Sequence, residues 1–103
     1  MAAPYNPPTK GEDFMVRIAL VDAALSGALR LNPTIAAGDF KISKDGGALA
    51  DLATLPVVAP AGSMWVTIAL SAAEMTADNV AIQAIDQTTV KEWADWAFCI
   101  VTT

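Results

Sequence analysis

Large apolar residues recur at every second position in segment after segment of this chain: Phe14, Val16, Ile18 and Leu20; Phe40 and Ile42; Met64, Val66, Ile68 and Leu70; Val80, Ile82 and Ala84; Trp96, Phe98 and Ile100. A period of two places successive side chains on opposite faces of a strand, so each segment can bury one face against a core. Turn signals separate the segments: Ser26-Gly27, Asn32-Pro33, Ala37-Gly38, Asp45-Gly46-Gly47, the loop Pro56 to Gly62, and Asp86-Gln87-Thr88-Thr89. About seven short strands at this spacing predict an all-β fold, an antiparallel immunoglobulin-like β-sandwich. A small barrel is the competing architecture.

Asp45-Gly46-Gly47 predicts a tight hairpin, because glycine supplies the positive φ that two-residue turns require; Ala48 to Leu52 then returns antiparallel to the strand Asp39–Lys44. Ser71-Ala72-Ala73-Glu74 has the spacing of a capping box, with Leu70 and Met75 placed as a hydrophobic staple, and predicts one helical turn at residues 72–76. The closing strand is expected over Glu92 to Thr102, carrying Trp93, Trp96, Phe98 and Ile100, with Trp96 in the core alternation. Residues 1–11 hold Pro4, Pro7 and Pro8 and read as an extended arm, either disordered or laid along a partner with Tyr5 as its anchor; residues 12–103 form the single sandwich domain. Removing residues 1–10 is expected to spare folding and weaken assembly.

Composition narrows the function classes. Of 103 residues, 54% are hydrophobic and only 17% charged, against roughly 25% in an ordinary soluble domain. The strands' second faces are correspondingly apolar: Met15, Ala19 and Val21; Trp65 and Ala69; Ala81 and Ile85; Ala97, Cys99 and Val101. Such a surface is expected where neighbours cover it, by a partner subunit or a second copy of the chain. The alternative is a surface that is merely rich in small residues. Pro4, Tyr5, Pro7, Pro8, Met15, Val21, Trp65, Ile85 and Trp93 are the candidate partner contacts.

The net charge is −5 and the six Lys and Arg form no cluster, which argues against nucleic-acid binding. No apolar stretch reaches the ~18 residues needed to cross a bilayer, and Met1 to Gly11 lacks the apolar segment of a secretion signal. The chain has no His, so the commonest general base and metal ligand are missing. Its lone Cys99 reads as a small apolar residue that permits no internal disulfide. The eleven carboxylates fall mostly at strand ends and turns, where Asp bonds backbone. A calcium site would need three of them to converge with loop carbonyls, Asp78 and Asp86 among them, and no EF-hand spacing is present. No cofactor and no catalytic motif is implied. Trp65 or Trp93, the latter flanked by Glu92 and Asp95, would serve as a stacking platform if the domain bound carbohydrate, such as a host-surface glycan.

Two stretches carry a resemblance. Asn32 through Ala48, with the run Lys44-Asp45-Gly46-Gly47, and Ala61 through Asp78, with Leu70-Ser71-Ala72-Ala73-Glu74-Met75-Thr76-Ala77-Asp78, resemble recurring segments of tailed-bacteriophage structural proteins. Glu92-Trp93 resembles an acidic residue and Trp on that family's final strand, and the likeness extends over residues 11–102. It is loosely similar to the immunoglobulin-like N-terminal modules of phage baseplate proteins. The resemblance implies a non-catalytic virion protein, assembled in the host bacterial cytoplasm. Such a protein would decorate capsid, neck or tail and contact other virion proteins and copies of itself.

Overall fold

A computed structural model of the chain describes residues 7–25 and 27–103. Pro4 and Tyr5 lie outside the described residues. The alternating segments become seven strands: β1 (Phe14–Ala19), β2 (Phe40–Lys44), β3 (Ala50–Asp51), β4 (Val57–Val58), β5 (Trp65–Leu70), β6 (Asn79–Ala84) and β7 (Trp96–Val101). They form two wholly antiparallel sheets, one ordered β1-β5-β4 and the other β3-β2-β6-β7. The protein is a β-sandwich. Its strand order matches the B-E-D and C′-C-F-G sheets of the immunoglobulin arrangement, with no counterpart of strand A beside β1 among the described residues.

The period-two residues meet between the sheets as expected. Ile18, Leu20, Val66, Ile68 and Leu70 from one sheet and its continuation pack with Phe40, Ile42, Val80, Ile82, Ala84 and Ile100 from the other, all buried. Met75 and Ala77, on the connection between β5 and β6, close one end.

That connection follows the capping-box chemistry. The backbone N–H of Ser71 donates to Glu74 Oε1 at 2.9 Å, and the Glu74 N–H donates to Ser71 Oγ at 3.2 Å. Met75 N–H then reaches the Ser71 carbonyl, which completes a single turn over residues 72–75 and no helix. The second oxygen of Glu74 accepts the N–H of Ala53, from the chain between β3 and β4. One buried carboxylate therefore ties together both crossings at this end of the sandwich.

The hairpin also forms where glycine demands it. Gly47 N–H donates to the Lys44 carbonyl, with Asp45 at φ 51° and Gly46 at φ 77°. Both central residues are left-handed, the geometry of a type I′ turn. The turn closes Lys44 on Gly47 while the ladder pairs Ile42 with Ala50, so the returning strand holds one extra residue, a bulge. Asp45 carries its side chain across to β6, where it accepts the N–H groups of Asp78 and Asn79. Replacing Gly46 with Val forces a β-branched residue into that region. Urea denaturation should show a loss of roughly 1–2 kcal/mol; unchanged stability would mean the turn is formed otherwise.

Three expectations are corrected. The first strand is shorter than its alternation, because Asp22 N–H bonds the Ala28 carbonyl and the chain folds into a small side hairpin, with Val21 bridged to Leu29. The last strand starts at Trp96 rather than Glu92. Residues Glu92 to Ala94 pair instead with Val21 to Ala23 on the other sheet, through Ala23 N–H to the Glu92 carbonyl and Ala94 N–H to the Val21 carbonyl. That detour places Trp93 in the core at 0% exposure, tilted against Phe40, with Nε1 donating to the Thr34 carbonyl. Trp96, expected inside, is 38% exposed and stacks on Phe98.

The exposure of Trp96 has a topological cause. Four strands face three, and Trp96 opens β7, an edge strand of the larger sheet. From Pro8 onward the N-terminal segment lies on its own domain: Thr103 N–H bonds the Pro8 carbonyl and Lys10 N–H bonds the Thr103 carbonyl. This is a one-residue parallel bridge between Thr9 and Thr103. Gly11 N–H bonds Met75, and the Lys10 ammonium pairs with Asp78 at 3.0 Å.

Candidate interaction surface

The carboxylates are placed by the loops they hold. Asp39, buried at a strand start, accepts from Ala36 N–H and Gln87 N–H. Asp86, also buried, accepts from Thr88 N–H, the Thr88 hydroxyl and Glu92 N–H. Burial pushes the Asp86 carboxyl up, but these donors and the Trp93 N–H outweigh it and hold the group below the usual carboxylate range. Asp22 is lowered mainly by the N–H groups of Leu25 and Ala24, with Arg30 beside it. Glu92 accepts both the N–H and hydroxyl of Thr34. Each of these side chains holds backbone N–H groups, and Asp22 and Glu92 share the Arg30 guanidinium between them.

Asp78 and Asp86 do not converge: they flank opposite ends of β6. Among the described residues no group of three or more metal-ligating side chains occurs. The cations are engaged as well: Lys41 with Asp51, Lys91 with Asp95, Lys44 with the Ala73 carbonyl, and Arg30 with Asp22 and Glu92.

Of the two candidates for a sugar-stacking platform, burial removes Trp93. Trp93 is a core residue, and so neither a platform nor a surface contact. Trp65 is 43% exposed, but the Arg17 guanidinium lies over its ring at 5.0 Å and donates to the Ala59 carbonyl. One face of the indole is thus taken by a cation–π contact within the sheet.

The remaining candidates divide between two outer faces. Met15 (half-buried), Val21 and Trp65 lie on the outer side of the β1-β5-β4 sheet, where Met15 stands opposite Ala69 and Ala19 opposite Trp65. Half-buried Ile85 continues the outer side of β6, while Pro7 is exposed and Pro8 half-buried at the Thr103 bridge.

The outer side of the four-stranded sheet has a more definite shape. Ser43, Ala81 and Cys99 stand in one cross-strand row, and Lys41, Gln83 and Ala97 in the next. Ser43, Ala81, Ala97 and Cys99, with Gln83, floor an open, mainly apolar trough of about 560 Å³, walled by half-exposed Leu49 from the β2–β3 hairpin. Its far rim is β7, where Ala97, Cys99 and Val101 are exposed, Val101 at 70%. None of these residues on β7 was among the candidate contacts. The signal for them was present: Trp96 to Val101 is a six-residue run without charge, Pro or Gly.

No known family, curated protein or solved structure matches this chain significantly. Its surface must speak for itself.

Proposed function

We propose that this chain is a non-catalytic building module of a tailed-phage virion. It is a decoration or accessory unit seated on capsid, neck or tail, in contact with other virion proteins and with copies of itself. The observation that carries the reading is the apolar surface on both sheets in a chain with so little charge. Trp65 and Val57 on one outer face, and Leu49 and Val101 on the other, are about 40–70% exposed. A solitary domain usually carries more charge over such surface, whereas a module embedded among neighbours has it covered. The carboxylates support a structural role, since Asp39, Glu74 and Asp86 are committed to backbone N–H groups. The resemblance of the Lys44–Gly47 hairpin and the Leu70–Asp78 connection to phage structural segments supplies the virion context.

Quantitative mass spectrometry of purified particles from the encoding phage should find the chain in fixed ratio to the major virion proteins. A chain recovered only from the soluble lysate, and washed from every particle fraction, would overturn the proposal.

A further inference from the structure

We infer that the free edge of β7 is a self-association site, pairing antiparallel with β7 of a second copy about a two-fold axis at Cys99. The inference rests on the assembly reading above and names its partner and its strand.

The hydrogen-bond register defines the edge. Thr102 N–H donates to the Asp78 carbonyl across the β6–β7 ladder. Because antiparallel residues alternate between facing and turning from their neighbour, Phe98 and Ile100 also direct their backbone groups to β6. Ala97, Cys99 and Val101 therefore turn both N–H and C=O away from the sheet. Thr103, next in that series, shows what such residues do: it takes Pro8 and Lys10 as its partners. Among the described residues nothing does the same for Ala97, Cys99 and Val101.

The other three edges are protected in ordinary ways. β3 and β4 are two residues long, β4 lies between Pro56 and Pro60, and β1 carries Arg17. Among the described residues, β7 presents the one long edge with no charged or breaking residue.

The occupant follows from the limits of this edge. Its unpaired part runs from Ala97 to Val101, and its midpoint is Cys99. A two-fold axis there sets Ala97 against Val101 of the second copy, a small side chain against a large exposed one. On the inner face it sets Phe98 against Ile100 of the copy, which covers the aromatic pair at this edge. The outward N–H groups of Ala97, Cys99 and Val101 then each donate to the C=O of the residue opposed to them in the copy. The chain entering β7 does not obstruct the copy's Pro8–Lys10 segment, because Glu92 to Ala94 has left the strand direction to pair with Val21 to Ala23. A strand edge of this length buries less than the ~1,200 Å² of a stable interface, so pairing is concentration-dependent.

Cys99 reports the pairing directly. Directly opposed residues in such a pair have Cα atoms about 5.5 Å apart, inside the about 4.4–6.8 Å that a disulfide spans, and Cβ atoms at about 5.5 Å that must close by roughly 1 Å to bond. Purified full-length chain at high concentration should, with glutathione disulfide as oxidant, form a Cys99-linked dimer. Two thiols are oxidised to one disulfide while glutathione disulfide is reduced to two glutathione thiols. Val101→Pro removes an outward N–H that its own sheet does not use, and should lower the dimer yield roughly tenfold or more. Cys99→Lys, at an exposed position, sets like charges face to face, and should abolish the dimer seen by sedimentation velocity. A wild-type chain that stays monomeric and untrapped, or a Val101→Pro chain trapped as fast as wild type, overturns the inference. A monomeric chain that is nonetheless found in particles discards edge pairing and leaves the assembly role. A Cys99-linked dimer of a chain absent from particles does the reverse.

Discussion

Trp93→Ala is expected to cost about 3–5 kcal/mol, the largest single loss in the domain. The indole has no exposure, packs against Phe40 with ring centroids 5.8 Å apart, and donates Nε1–H to the Thr34 carbonyl. Truncation leaves a void and an unanswered carbonyl at the place where residues 92–94 strap one sheet to the other. Against a typical total of about 5–15 kcal/mol, little remains. In thermal unfolding, 3 kcal/mol corresponds to a fall of roughly 12–24 °C for a domain of this size. A loss under ~1 kcal/mol would place Trp93 outside the core. Trp96→Ala, by contrast, removes a ring already 38% exposed and should cost distinctly less.

Asp86→Ala should follow at about 2 kcal/mol, because two backbone donors and the Thr88 hydroxyl lose one shared, buried acceptor. The same carboxylate makes stability depend on pH. Its folded pKa lies below the ordinary value of 3.8, so the charged form is the one the fold binds. Its contribution is therefore complete above the unfolded carboxylate pKa of about 3.9, and is lost as pH falls through the folded value. Denaturation midpoints measured from neutral to acid should show wild type weakening in that window, with Asp22 titrating in the same direction. Asp86→Ala should weaken less steeply there. Equal acid slopes in the two proteins would mean that Asp86 does not hold its loop as a charge.

Most of the sandwich is readable from the chain because its information is local. Alternation names the inward residues of β1, β2, β5 and β6, and no distant contact overrides it. The Asp45-Gly46 turn and the Ser71–Glu74 box are legible for the same reason: a positive φ and a reciprocal cap are decided within four residues. The two tryptophans are not legible. Counting back by twos from Ile100 and Phe98 reaches Trp96 and puts it inside, but period cannot report that the opposing sheet stops at β1. Nor can it report that the chain changes partner at Asp95, which shifts Trp93 onto the buried side. Asp45 and Asp39 show the same limit in milder form, since each bonds residues more than thirty positions away. The outer apolar faces were visible as composition, and only the sheet order shows which rim lies open.

The double grip of Glu74 has a consequence for how the molecule comes apart. Its two oxygens hold the amide of Ser71, where the chain leaves one layer, and that of Ala53, where it enters that layer. Drawing the two crossings apart breaks the bond from Ala53 to Glu74, a loss of roughly 1.5–3 kcal/mol for a hydrogen bond to a charged group. A carboxylate placed there couples the fraying of one connection to that of the other, so the amides of Ser71 and Ala53 are expected to exchange with solvent together.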